Sequence, residues 1–111
     1  MQYKKGLKQA DQLLKKHPKH GETKAMKGLI CYNMGRKDEG WQFVKEAIRL
    51  DITSCTCWHV LGLMHRNEKD WVEATKCFQR AVKLDEKNAS FLNDLQGTQL
   101  AGRKKKIQNK K

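Results

Sequence analysis

No stretch of this 111-residue chain is apolar for long enough to cross a membrane or to act as a cleaved leader, and the first eight residues already hold three lysines. The chain is therefore expected to be soluble, cytoplasmic and without membrane contact. Glycine-rich loops are absent too. The eight glycines, at 6, 21, 28, 35, 40, 62, 97 and 102, include no close pair, so nothing forms a cradle of N–H groups for a phosphate or for the pyrophosphate of a coenzyme. The four cysteines, at 31, 55, 57 and 77, lack the paired Cys-x-x-Cys spacing of a zinc knuckle and read as small apolar residues in a reducing compartment. His59 and His65 are six apart on one predicted helix and do not share a face as a metal pair would. Asp70 and Glu73 are better used as helix caps. No metal, cofactor or catalytic residue is expected, and the chain reads as non-enzymatic.

Acidic residues are scarce at both ends. Residues 1–20 carry Lys4, Lys5, Lys8, Lys15, Lys16 and Lys19 against the single acid Asp11. Residues 101–111 carry Arg103, Lys104, Lys105, Lys106, Lys110 and Lys111 with no acid, while the 80 residues between contribute only +1 of the net +12. Basic ends of this kind attract a polyanion by counterion release, with strong salt dependence and little sequence preference. A solvated helix face in front and a disordered lysine tail behind account for the same composition.

What the chain does have is a period. At a shift of 34 residues Gly28 falls on Gly62, Leu29 on Leu63, Asn33 on Asn67, Ala47 on Ala81, Leu50 on Leu84 and Asp51 on Asp85. A partial third copy, with Gly6, Leu13, Leu14 and Pro18, precedes them. A 34-residue period of this pattern implies stacked helix pairs. The expected organisation is a repeat domain over 1–102, followed by a basic tail over 103–111. Within the domain lie a half repeat at 1–20, repeats at 21–54 and 55–88, and the first helix of a further repeat at 89–101.

Five helices are predicted at 2–16, 21–35, 38–50, 55–67 and 70–84, with a sixth at 89–101 that has no partner helix behind it. Pro18 follows the first helix and Gly35 suits the exit of the second. Asp38, Ser54 and Asn88 are the expected caps of the third, fourth and sixth helices. Asp70 with Glu73 makes a capping-box-like start for the fifth. Gly28 and Gly62 are expected where paired helices cross closest, with Ala47 and Ala81 opposite, while Trp58, Leu61 and Phe78 fill the space between pairs.

The spacing Trp58, Leu61, Gly62, Ala74, Phe78 and Ala81 resembles the tetratricopeptide repeat over residues 55–88. The copy at 21–54 has Lys24 where that family usually has Trp and Gly40 where it usually has Ala. The resemblance implies an all-α fold, an antiparallel helix-pair solenoid wound as a short right-handed superhelix. At a finer level the strings HGETKAMKGL, CWHVLGL and EATKCFQRAVKLD look like the N-terminal repeats of the auxiliary subunits of the N-terminal acetyltransferase A complex, over about residues 2–96. That likeness implies a non-catalytic adaptor of cotranslational N-terminal acetylation. Its partners would be the catalytic acetyltransferase subunit and, through the basic ends, the ribosome and its RNA. Such subunits are far longer solenoids, so the chain looks like a fragment or truncated relative, with most of the catalytic subunit's cradle in other repeats.

Two other functions stay open. A peptide-binding repeat module of co-chaperone type would use the groove lined by the first helix of each pair. There Ala25, Leu29, Tyr32, Asn33, His59, Leu63 and Arg66 are expected to be exposed, and Asn33, Arg66 and Asn67 fit a carboxylate clamp only loosely. A basic RNA-binding repeat protein would use the ends alone, without an aromatic platform for bases.

Overall fold

A computed structural model describes residues 2–109, with side chains through Lys104. Its elements are α1 (Gln2–Lys16), α2 (Gly21–Asn33), α3 (Lys37–Leu50), α4 (Cys55–Asn67), α5 (Trp71–Leu84) and α6 (Ala89–Asn109). They pack as antiparallel pairs, α2 with α3 and α4 with α5. α1 lies against α2, α6 lies against α5, and α2 touches α4 across the pairs. The body is 52 Å long and 30 by 23 Å in section.

Helix boundaries follow from local chemistry. The Ser54 hydroxyl accepts from the Cys57 N–H (3.4 Å), and the Asn88 carboxamide accepts from the Phe91 N–H (3.2 Å), so both caps form where expected. Asp70 accepts from the Glu73 N–H (3.4 Å), while the Glu73 carboxylate turns to Lys76 instead of closing a reciprocal box. Asp38 is not a cap. The turn after α2 brings the Arg36 N–H to the Cys31 carbonyl (2.9 Å), α3 starts at Lys37, and Asp38 falls inside its first turn, where a carboxylate still complements the helix dipole. α2 begins with a cap that the sequence did not suggest, the His20 imidazole accepting from the Thr23 N–H (3.3 Å). The helical backbone of α6 runs to Asn109, well past 101, so residues 103–109 continue the helix and do not start a separate tail. Lys110 and Lys111 lie outside the described residues.

Two core clusters form where successive helix pairs meet. The first is built from Ala25, Tyr32, Val44, Ala47, Cys57, Val60 and Met64, with Leu29, Trp41, Ile48 and Leu61 packed on it. The second holds Ala74, Phe78 and Leu95, with Leu63 and Val82 beside them. Fully burying Phe78, Met64 or Val60 stabilises the fold by about 1.5–3 kcal/mol each. Gly28 and Gly62 sit where the paired helices approach most closely. A β-carbon on Gly62 would come within 2.5 Å of the Phe78 ring, and one on Gly28 within 2.8 Å of the Gly40 carbonyl oxygen. Gly40 stands where repeats of this type carry Ala because its own β-carbon would lie 2.6 Å from the Gly28 carbonyl oxygen.

Trp58 is only half-buried and belongs to neither core. Its indole N–H donates to the Ile52 carbonyl (2.8 Å) and its ring carries the Arg80 guanidinium at 5.2 Å, so it ties the α3–α4 turn to α5. One period earlier the same two positions are Lys24 and Glu46, which form an ion pair at 3.0 Å. The missing Trp of the first repeat is thus replaced by a contact of another chemistry in the same place.

Both first-to-second helix turns need a left-handed residue. Gly35 supplies it at φ +92°, and Lys69, one period later, adopts φ 62°. Replacing Lys69 with Gly is expected to stabilise the fold by about 1 kcal/mol, and replacing Gly35 with Ala to destabilise it by about as much. Urea denaturation followed by circular dichroism reads both. Gly62→Ala, which must push the Phe78 ring out of its rotamer, is expected to lose about 1–3 kcal/mol in the same assay.

Candidate functional site

α1 separates its side chains cleanly. At roughly 100° per residue, Lys4, Lys5, Lys8, Lys15 and Lys16 fall within an arc of about 120°. Leu7, Ala10 and Leu14 take the opposite side, where they meet α2. All five lysines are exposed, as is Lys19 in the turn after the helix. Among the described residues none of these six makes an ion pair. The one acid of α1, Asp11, is held at 2.6 Å by Lys27 of α2. The face is therefore a continuous strip of uncompensated positive charge, the form that gathers phosphates.

The second basic region is elsewhere. Arg103 and Lys104 are exposed on α6, at the other end of the body from α1, so the structure does not merge the two into one surface. The side chains of Lys105 and Lys106 lie outside the described residues.

The groove side is formed by the first helices, α2, α4 and α6, and much of it is already engaged. Leu29, Tyr32, Asn33, Leu63 and Arg66 border one depression, together with Asn67, Lys69 and Trp71. Ala25 is not in that groove, being fully buried in the first core, and Tyr32 is 3% exposed with its ring in the same core. The Tyr32 ring meets Trp41 of α3 edge to face, with centroids 5.9 Å apart, because α2 turns that stripe towards its pair partner. The Tyr32 hydroxyl donates to Glu68 (2.8 Å) and accepts from Asn67 (3.0 Å). Thr56 donates to Glu22 (3.3 Å). His59 stacks on Phe91 with ring centroids 4.5 Å apart and reaches Asp94 through Nε2 at 2.6 Å, while Arg66 donates to the other oxygen of Asp94 at 3.2 Å.

Most of these bonds form a ladder between residues about one period apart, and they engage Arg66 and Asn67, two of the three donors that a carboxylate clamp would need. Burial pushes the Asp94 carboxyl up, but hydrogen bonds from His59 and Arg66 outweigh it and hold the group below the ordinary aspartate range. Hydrogen bonds from Tyr32 and Lys37 likewise hold Glu68 low. Neither acid was singled out by the sequence, although the 35-residue step from His59 to Asp94 is the period plus one.

Cys31, Cys57 and Cys77 are buried, and burial pushes each thiol up, Cys77 to about 11, so they act as packing groups. Among the described residues no group of three His, Cys, Asp or Glu side chains converges on a metal position, and no helix is long and apolar enough to cross a membrane.

The pattern of paired helices with glycine at the crossing is that of a tetratricopeptide solenoid, and the family described as Psidin, N-terminal TPR repeats region, matches residues 1–100. The chain belongs to that family. The auxiliary subunit of the N-terminal acetyltransferase A complex of Arabidopsis thaliana is 50% identical over 94 residues, which cover 85% of this chain and 10% of that protein. A NatA auxiliary subunit of Mus musculus, N-alpha-acetyltransferase 16, is 47% identical over 96 residues, 85% of this chain and 11% of its own length. A solved structure of Naa15/Naa10 bound to HypK-THB superposes with a TM-score of 0.86 at 43% identity, over 90% of this chain and 15% of that one.

This member of the family thus spans about a tenth of the length of the curated relatives it matches. It is homologous to a non-catalytic auxiliary subunit, and the all-α repeat fold implied by the period is the fold found.

The ladder also governs acid stability. A carboxyl held below its ordinary value in the folded state contributes stability that is complete above the unfolded value, near pH 4, and is lost as pH falls through the lower native value. Asp94→Asn should therefore destabilise the fold by about 1–2 kcal/mol at neutral pH. The gap to the unmodified chain should close as the pH falls below about 4. Urea titrations at several pH values measure it.

Proposed function

We propose that the chain acts as the N-terminal adaptor segment of an acetyltransferase A auxiliary subunit, anchoring acetylation of emerging chains at the ribosome through ribosomal RNA. The observation that carries this reading is the strip of exposed lysines on α1, unpaired with acids, on a chain homologous to such subunits. A structured helix face holds its charges at fixed spacing, so it meets a phosphate backbone without first being ordered.

Contact with a catalytic acetyltransferase subunit is a weaker role for this segment. The related structure pairs Naa15 with Naa10, but this chain matches only 15% of the chain compared. We assign most of the surface that holds the catalytic partner to repeats outside the segment. The working place of such an adaptor is the cytoplasm. The peptide-clamp alternative is disfavoured because Arg66 is held by Asp94 and Asn67 by Tyr32.

Cosedimentation with purified ribosomes across a salt series, with free RNA as competitor, tests the adaptor reading. Binding that survives excess free RNA is expected. Replacing Lys4, Lys5 and Lys8 with Gln should weaken it at least tenfold near physiological salt and lower the salt slope by about one for each phosphate no longer neutralised. Replacing Arg103 and Lys104 instead should change it little. Equal loss to any RNA would reduce the chain to a bare polyanion binder.

A further inference from the structure

α1, α3 and α5 occupy equivalent places in the period, and residues 34 apart hold the same position on each of them. On α1 the lysine strip covers the whole helix. Carried forward one period, Lys4, Lys5 and Lys8 become Asp38, Glu39 and Gln42 of α3, so the first half of the face loses its positive charge. Lys15 becomes Arg49, and Arg49 in turn becomes Lys83. Positive charge thus persists at one point of each of these helices, in the last turn, and all three residues are exposed.

The two edges of the solenoid differ in how their charges are committed. Along the edge formed by the turns at 17–20, 51–54 and 85–88, Lys15, Arg49 and Lys83 make no ion pair among the described residues, nor do Lys19 and Lys87 in the turns themselves. Asp51 accepts from the Thr53 hydroxyl (2.6 Å) and Asp85 from the Asn88 carboxamide (3.3 Å), which holds both acids within their turns. Glu86 is exposed and subtracts from the row.

The opposite edge lies a helix length away, roughly 20 Å at 1.5 Å per residue. There Arg36 donates to Glu39 (2.8 Å) and Lys37 is held by Glu68 (3.2 Å). Asp38, Glu68 and Asp70 border a depression of about 580 Å³ beside Trp41 and His65. That edge repels a polyanion.

Cations in the last turn of a helix complement its dipole, which accounts for the type of charge at 15, 49 and 83. It does not account for Lys19 and Lys87, which lie beyond the helix ends. Nor is the row a product of the limits of the segment, since Arg49, its middle member, is exposed with α1 and α2 before it and α4 and α5 after it.

Building on the ribosome-adaptor reading, we infer that an RNA duplex does not rest on α1 alone but crosses the repeats along this edge, its phosphates meeting Lys15, Arg49 and Lys83 in turn. The lysine strip runs along α1 and the row runs across the helices, with Lys15 where they meet. One cation in a fixed place in each repeat makes a spaced set of phosphate contacts and reads no bases. A single strand is held by stacking, and the Trp58 ring beside the turn at 51–54 already carries the Arg80 guanidinium. A duplex has the higher charge density and releases more counterions per contact.

Fluorescence anisotropy with a labelled RNA duplex of about 16 base pairs, the span of two successive minor grooves, measures this across a salt series. Arg49→Gln with Lys83→Gln should weaken binding about tenfold near physiological salt and lower the salt slope by about two. Lys37→Gln with Lys69→Gln removes as much charge from the opposite edge and should change the affinity less than about twofold, because charges beyond a Debye length are screened. All four residues are exposed, and circular dichroism should show both variants helical. Equal losses in the two variants would overturn the proposal, since net charge alone would then set the affinity. So would a single strand of the same length that binds as tightly as the duplex. Cosedimentation of the same proteins with ribosomes separates the row from the adaptor role. A chain that binds ribosomes and loses nothing with Arg49 and Lys83 replaced overturns the row and leaves the role, whereas a chain that binds neither ribosomes nor duplex overturns both.

Discussion

A β-carbon placed on Gly28 would lie 2.8 Å from the Gly40 carbonyl oxygen, and one on Gly40 would lie 2.6 Å from the Gly28 carbonyl oxygen. α2 and α3 therefore touch backbone to backbone, and this closeness governs everything outside it. Helices so near leave little room between them at the crossing, where Val44 packs directly on Gly28 and the Tyr32 β-carbon on Gly40. In the second pair Gly62 faces the Phe78 ring, and Ala74 takes the place of Gly40. The two crossings are filled differently, one by Val44 beside bare backbone and one by the ring of its period image Phe78, yet both deliver the chain to the next pair in the same register. Register is what lets α2 and α4 form their ladder of hydrogen bonds at one-period spacing.

That ladder decides which polar groups are free to act. Side chains on the first helices, which a groove-binding module would offer to a peptide, are committed to one another: Tyr32 to Glu68 and Asn67, Arg66 and His59 to Asp94. The second-type helix α1 carries no such commitments on its outer arc. The largest group of uncommitted charges of this segment thus lies on a basic helix at one end and not on the concave side, by the same packing that gives the repeat its shape.

Period, pairing and most helix limits are legible in the residues because they rest on spacing and on caps that act locally. Ser54, Asn88 and Asp70 cap where their chemistry says they should. Asp38 does not, because the hydrogen bonds of the preceding turn, set by Gly35, fix where α3 begins. α6 overruns its expected end because lysines suggest a solvated tail but are themselves good helix formers, and 102–109 contains no proline to stop them. Ala25 leaves the expected groove for the core, and Tyr32 sinks its ring into the core while still bordering the groove, because the stripe a helix buries depends on the crossing angle with its partner, and a period does not contain that angle. Asp94 and Glu68 are invisible in the sequence for a related reason, since their partners lie a full repeat away.

The replacement of a Trp58–Arg80 contact by a Lys24–Glu46 ion pair shows how little of the consensus the fold requires. Both pairs pin the start of a first helix to the outward face of its partner, one by stacking a cation on a ring and one by Coulomb attraction at a site half open to water. An exposed pair of this kind is worth at most about 1 kcal/mol, so neither is the reason that the repeat folds. Among the positions both copies keep without substitution are Gly28 with Gly62 and Ala47 with Ala81, the residues whose smallness allows approach. A repeat of this type is recognised by the space it leaves empty, and side chains at its edges are free to change their chemistry so long as they still reach each other.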